Sequence, residues 1–123
     1  MDLIVLGANH KTAPAEVRDE VQMGPDEMGT FYAYLKELRD ILPEVVVVST
    51  CNRTEFYALT RDREAADHAI REAVYLHKGV LHLNNGRYTY SWTGRETIRH
   101  LFRVAAGVDS LMVGEPQILG QVR

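Results

Sequence analysis

The sequence predicts an α+β fold, a ferredoxin-like sandwich in which helices pack on one face of a mainly antiparallel sheet. Three observations support this prediction. Strand-like and helix-like apolar patterns alternate in the order β-α-α-β-β-α-β-α. The chain has 123 residues, which is enough for one compact domain with its own core. Its composition, 46% hydrophobic and 25% charged, is typical of a folded globular protein.

The apolar pattern divides the chain into eight elements. The predicted strands cover 3–7, 44–49, 54–60 and 87–92, and the predicted helices cover 15–22, 26–42, 64–78 and a segment from 93 or 94 onward. Thr12 as N-cap, with Pro14 just inside, opens the first helix, and Pro43 ends the second. Gly79 stops the third helix, and the polar run at 84–86 predicts a turn.

Four successive valines make the second predicted strand the most apolar stretch of the chain. Such a β-branched run at 45–48 favours a strand that is buried on both faces. The polar segment 50–53 that follows contains no glycine or proline. We therefore expect a kink or a short connection there rather than a tight turn.

The charge balance and the cysteine content exclude several classes of protein. The net charge of −3 does not favour nucleic-acid binding by the chain as a whole, although residues 51–123 carry ten basic against eight acidic side chains. A single cysteine excludes an intramolecular disulfide framework. The sequence contains no apolar run long enough for a membrane span and does not begin like a signal peptide. We expect a cytoplasmic chain without membrane contact.

Common cofactor and metal motifs are missing from the sequence. It contains no GxGxxG or GxxxxGK, which argues against a dinucleotide or P-loop site in these residues. The five histidines form no HExxH motif and pair with no CxxC, so we expect no metal site. No GxSxG elbow is present either.

Cys51 is the only thiol, and it lies within the polar segment that follows the valine run. In extended backbone Cys51, Arg53 and Glu55 share one face, and a nearby guanidinium stabilises the thiolate that acts as a nucleophile. The alternative for Cys51 is a small buried hydrophobic residue, and the alternative for Arg53 is a surface ion pair with Glu55.

His100 and the segment 107–121 form two further candidate regions. On the helical wheel Ile98, Leu101 and Phe102 form an apolar face, so we expect His100 on the opposite, solvated side. The segment 107–121 has the glycines, cap residues and proline of a capped helix start, with Gln117 and Gln121 on one face.

Three stretches of the sequence together closely resemble glutamyl-tRNA reductase. They are GANHKTAP at 7–14, STCNRTEFY at 49–57 and HLFRVAAGVDSLMVGEPQILGQVR at 100–123. The resemblance implies that residues 1–112 form the N-terminal catalytic, glutamate-recognition domain and that 113–123 begin a linking helix. It also implies NADPH-binding and dimerisation domains that are absent from this chain.

The resemblance implies the first step of the five-carbon route through 5-aminolevulinate to tetrapyrroles, including haem and other porphyrins. NADPH reduces glutamyl-tRNA to glutamate-1-semialdehyde through a cysteinyl thioester, and without its NADPH domain this chain is expected to be unable to reduce. The implied partners are glutamyl-tRNA, a second copy of the full-length protein and glutamate-1-semialdehyde aminomutase.

By the same resemblance, Cys51 attacks the aminoacyl ester and His100 assists proton transfer or orients the ester. Arg53 is the candidate ligand for the side-chain carboxylate of the substrate, because a guanidinium matches two carboxylate oxygens. The implied substrate-binding residues are Thr50, Asn52, Arg53, Ser110, Glu115, Pro116, Gln117 and Gln121.

Two alternative functions remain open from the sequence. A cysteine acyl hydrolase would use Cys51 and His100 as a dyad and would release glutamate without NADPH. A non-catalytic module would bind tRNA or haem, with Cys51 and histidines as iron ligands. Turnover to free glutamate without NADPH would indicate the hydrolase, and substrate binding without a thioester would indicate the binding module.

Overall fold

A computed structural model of the chain describes residues 1–84 and 86–106, and this part contains one four-stranded sheet. Its strands are β1 Asp2–Asn9, β2 Glu44–Ser49, β3 Arg53–Thr60 and β4 Tyr90–Thr93. They lie in the order β2-β3-β1-β4, and every neighbouring pair is antiparallel. Because β1 lies between β3 and β4, the sheet has the split βαβ arrangement of ferredoxin-like folds. The predicted α+β sandwich is confirmed.

Three helices cover one face of the sheet and a fourth covers part of the other. The helices are α1 Ala15–Val21, α2 Pro25–Leu35, α3 Arg63–Lys78 and α4 Arg95–Ala105, with short 3-10 turns at Lys36–Leu38 and His82–Asn84. The main core joins α1, α2 and α3 to the sheet through side chains such as Phe31, Phe56 and Ile70. On the other face Val104 of α4 packs with Val5 and Tyr57.

The ends of α3 follow the chemistry of its flanking residues. The Asp62 side chain accepts a hydrogen bond from the backbone N–H of Ala65 at 3.1 Å, which caps the first turn. Gly79 adopts the left-handed conformation with φ of 73° and ends the helix, as the sequence predicts.

Two other local predictions are wrong. Thr12 does not cap α1, because its hydroxyl accepts from the N–H of Asn9 and donates to the carbonyl of Tyr88 at 2.7 Å. Pro14 takes the N-cap position without a side-chain hydrogen bond. The valine strand is not buried on both faces, because β2 is an edge strand and Val46 is 45% exposed.

The lengths of two elements also differ from the prediction. The continuous helix predicted for 26–42 ends at Leu35 and gives way to the 3-10 turn. The last strand begins at Tyr90 rather than at 87, which leaves four residues paired with β1. In residues 1–84 and 86–106 no helix combines the length and the apolar character needed to cross a bilayer.

Candidate active site

Cys51 lies at the tip of a tight β2–β3 hairpin. The N–H of Thr50 donates to the carbonyl of Arg53 at 2.8 Å, which leaves Cys51 and Asn52 as the two loop residues. The N–H of Asn52 donates to the Thr50 hydroxyl at 3.1 Å and closes the turn without a glycine. The expected kink is therefore a hairpin.

The thiol is accessible while the residues that hold it are buried. Cys51 is exposed, whereas Thr50 and Asn52 are buried. This finding contradicts the alternative that Cys51 is a small core residue. A nucleophile needs both access and a fixed position, and the hairpin gives the thiol both.

Arg53 and Glu55 form a buried ion pair on β3. Both side chains are fully buried, and Nη1 of Arg53 lies 3.7 Å from Oε2 of Glu55. Their shared face follows from the two-residue period of a strand. The alternative that this pair lies on the surface is wrong.

His100 is bound to the same carboxylate. Its Nε2 is hydrogen-bonded to Oε2 of Glu55, and the hydroxyl of Tyr90 donates to that oxygen as well. The hydroxyl of Tyr57 donates to the other oxygen, Oε1, at 3.0 Å. Glu55 is thus the centre of a buried polar cluster that also contains Arg53, Tyr57, Tyr90 and His100.

The predicted orientation of α4 is wrong. The side chains that α4 buries are those of Thr97, His100 and Val104, whereas Ile98 is 46% and Phe102 is 71% exposed. His100 is only 5% exposed because Glu55 and the rings of β4 offer it partners on the sheet. A wheel that counts apolar residues cannot detect such partners.

Two aromatic rings of β4 hold the imidazole of His100 in place. The Trp92 ring lies 4.5 Å from it and the Tyr90 ring 5.3 Å, the latter edge-on. Burial, followed by the negative charge of Glu55, raises the pKa of Tyr90 well above its ordinary value of 10.0. Tyr90 therefore stays protonated and donates to Glu55 at neutral pH.

Gly7 makes room for this cluster on β1. It pairs with Glu55 on one side and with Tyr90 on the other. A Cβ at Gly7 would lie 2.8 Å from Cγ of Glu55 and 2.9 Å from the carbonyl oxygen of Thr54. The signal in the sequence is a glycine inside an apolar strand, which marks a close approach.

The described parts of the three motifs meet, the first two on the adjacent strands β1 and β3 and the third on α4. Asn9, in the first motif, pairs with Arg53 of the second, and His100, at the start of the third, binds Glu55. Cys51 is four residues before Glu55, so the two Cα atoms are at most about 14 Å apart. The remaining predicted site residues lie outside the described residues: Ser110, Glu115, Pro116, Gln117 and Gln121.

A separate apolar groove of about 910 Å³ runs along the edge strand β2. Tyr32 and Leu35 line it on one side of the sheet and Leu101 on the other. Within residues 1–84 and 86–106, none of the predicted site residues lines this groove, so we place the candidate chemistry at the hairpin. No group of three metal-ligating side chains occurs in the described part of the chain.

Comparison with known proteins identifies the family of the chain. The family model for the N-terminal domain of glutamyl-tRNA(Glu) reductase matches residues 6–123. The chain belongs to this family. Its identity is 44% to the glutamyl-tRNA reductase of Pelobacter propionicus and 44% to that of Pelotomaculum thermopropionicum, over the whole chain and 28% of each relative.

A solved structure supports the fold of this N-terminal domain. Glutamyl-tRNA reductase from Methanopyrus kandleri superposes with a TM-score of 0.69 at 32% sequence identity. The match covers 98% of this chain and 26% of the other chain. The chain thus spans just over a quarter of the length of the relatives that it matches.

Proposed function

We propose that this chain carries out the acyl-transfer half of glutamyl-tRNA reduction. The thiolate of Cys51 attacks the ester carbonyl of glutamyl-tRNA, and the products are a cysteinyl thioester and free tRNA. One observation carries this proposal: the exposed Cys51 lies in the hairpin loop directly before the strand that holds Arg53 and Glu55, and His100 binds Glu55 on that strand. A thiolate attacks acyl carbon well, which makes an accessible, rigidly held cysteine suited to this step.

The proposed step balances in atoms and charge. A sulfur–carbon bond forms, the carbon–oxygen bond to the ribose breaks, and the ribose oxygen takes the proton that the Cys51 thiol gives up to Nδ1 of His100. We assign the delivery of that proton to His100, the histidine that lies beside the Arg53–Glu55 pair. In the free protein His100 is held by Glu55.

Arg53 is the proposed ligand of the glutamyl side-chain carboxylate. Its guanidinium has five N–H donors and can serve a second carboxylate in addition to Glu55. Thr50 and Asn52 flank the thiol and would contact the acyl group. The family resemblance assigns substrate contacts to Ser110, Glu115, Pro116, Gln117 and Gln121 as well.

The residues of this chain do not fit NADPH. The sequence has no GxGxxG, and the described sheet is antiparallel, whereas dinucleotides bind at the carboxyl ends of parallel strands. We therefore derive no hydride step from these residues. Reduction to glutamate-1-semialdehyde, homodimerisation and contact with the aminomutase would belong to the longer, cytoplasmic protein that starts the five-carbon route to tetrapyrroles.

The decisive experiment measures covalent capture of the glutamyl group. We expect [14C]glutamyl-tRNA to label the wild-type chain in an acid-stable, hydroxylamine-sensitive form, and Cys51→Ser to remain unlabelled. Addition of NADPH should release no glutamate-1-semialdehyde from this chain. Label on the wild type that does not exceed the Cys51→Ser level contradicts the proposal.

The same experiment distinguishes the alternatives. Rapid catalytic release of free glutamate without NADPH would indicate a hydrolase, a function that the exposure of Cys51 to water makes reasonable. Binding of glutamyl-tRNA by both wild type and Cys51→Ala, with no thioester in either, would indicate a binding module. Glutaminyl-tRNA serves as the specificity control, because an amide side chain lacks the charge that Arg53 recognises.

A further inference from the structure

We propose that Glu55 is a positioning residue for His100, which fixes the tautomer and the orientation of its imidazole. The proposal rests on the proposed function, because it concerns the proton that His100 delivers. Glu55 itself is fully buried and does not need to touch substrate. It acts on the reaction through the ring that it holds.

The geometry that carries this inference is a carboxylate placed among hydrogen-bond donors. Oε2 of Glu55 faces His100, Tyr90 and, at 3.7 Å, Nη1 of Arg53. Oε1 accepts from Tyr57 at 3.0 Å. The β3 backbone behind Glu55 is held on both sides by β1 and β2, so the acceptor cannot shift easily.

The consequence for His100 follows from the chemistry of imidazole. A carboxylate only accepts hydrogen bonds, so Nε2 of His100 must carry the proton that it donates to Glu55. In the neutral ring the proton-accepting nitrogen is then Nδ1. Functional histidines are commonly oriented by a carboxylate at one nitrogen while the other nitrogen does the chemistry.

The length of the Glu55 side chain matters more to this role than its charge. In Glu55→Gln the amide oxygen can keep the Oε2 position, toward Arg53, Tyr90 and His100, while the NH2 donates to the Tyr57 hydroxyl. In Glu55→Asp the charge stays near Arg53, but the carboxylate withdraws by about one bond length, ~1.5 Å. If Glu55 acts by positioning His100, Glu55→Gln should form thioester faster than Glu55→Asp. If its role is purely electrostatic, Glu55→Asp should be the faster of the two.

The first readout is the tautomer of His100, measured by long-range 1H–15N correlation on the full chain at about pH 8.5, where free imidazole is neutral. We expect the Nε2–H form in the wild type and in Glu55→Gln, and a mixture of both forms in Glu55→Asp. Tyr57→Phe is the matched control, because it removes a hydrogen bond from Oε1 and leaves Oε2 in place.

The second readout is the rate of thioester formation with [14C]glutamyl-tRNA. We expect Glu55→Asp to lower this rate by about 10- to 100-fold, the usual cost when a histidine loses the carboxylate that orients it. Glu55→Gln and Tyr57→Phe should stay within about threefold of the wild type. An amide 1H–15N spectrum shows whether each variant is folded. If Glu55→Gln does not fold, the positioning role is judged by comparing Glu55→Asp with Tyr57→Phe in the His100 tautomer and in the rate of thioester formation.

Three results would overturn the positioning role. They are an Nδ1–H tautomer in the wild type, a Glu55→Asp variant that matches Tyr57→Phe in both readouts, and a Glu55→Asp variant that forms thioester faster than Glu55→Gln. Absence of thioester in the wild type, with the expected tautomers, would instead refute the proposed function, because the tautomer measurement needs no substrate.

Discussion

Substitution of Gly7 by alanine tests whether this glycine makes the space that Glu55 occupies. The added Cβ would meet Cγ of Glu55 at 2.8 Å and the Thr54 carbonyl oxygen at 2.9 Å. Neither atom can move away easily, because the Thr54 oxygen belongs to the backbone of a paired strand and the Glu55 side chain is held by three hydrogen bonds. Overpacking of this kind costs about 1–3 kcal/mol.

A second effect of the same substitution opposes the clash. Alanine has less conformational freedom than glycine in the unfolded chain, which favours folding by about 0.5–1 kcal/mol. The clash outweighs this gain, so we expect Gly7→Ala to lower the free energy of unfolding by about 1–2 kcal/mol. The midpoint in urea should then fall by about 0.5–1.5 M.

Gly29→Ala is the matched control for this measurement. Gly29 lies inside α2, and a Cβ there would meet nothing within 4 Å. The same chemical change should therefore stabilise the chain by about 0.5–1 kcal/mol, because alanine favours helix. If Gly7→Ala is as stable as the wild type, or shifts in the same direction as Gly29→Ala, the close approach does not constrain Glu55.

Two further predictions concern α4 and Tyr90. Val104→Ala should lower the free energy of unfolding by about 1–2 kcal/mol, since Val104 is fully buried, whereas Phe102→Ser should change it by less than about 0.5 kcal/mol. If urea denaturation shows a larger loss of stability for Phe102→Ser than for Val104→Ala, α4 packs on the sheet by its apolar face instead. Because the pKa of Tyr90 is raised in the folded state, the unfolded chain loses that proton first as the pH rises above about 10. The loss of stability between about pH 9 and 10.5 should therefore be smaller in Tyr90→Phe, and equal losses would contradict the raised pKa.

The fold was predictable because its signals are local. The third helix has an N-cap at Asp62 and a left-handed glycine at Gly79, and both act within one turn of the helix. The central strands place alternate apolar residues in the main core, Ile4, Leu6 and Ala8 from β1 and Phe56 and Ala58 from β3. The position of β2 at the sheet edge was not predictable, because a run of valines does not reveal how many neighbours a strand has.

The pairing of Arg53 with Glu55 was predictable from the sequence, but the contacts of this pair with other elements were not. Period-two geometry placed Arg53 and Glu55 on one face, and the structure pairs them. The contribution of Tyr90 depends on the register between β1 and β4, which no local pattern encodes. The burial of His100 depends on the same pairing, because only a sheet that presents a carboxylate and two aromatic rings offsets the cost of burying an imidazole.

The burial of the Arg53–Glu55 ion pair on β3 is not an arrangement that stability alone favours. Desolvation of an ion pair costs several kcal/mol per charge, and an apolar pair of similar volume is often at least as stable. The opposite face of β3 has such an apolar pair, since Phe56 and Ala58 pack there in the main core. The strand that carries the charges is one of the two that are paired on both sides. Under the proposed function, the guanidinium of Arg53 would hold the carboxylate of the acyl group while Cys51, two residues earlier in the hairpin loop, attacks its carbonyl.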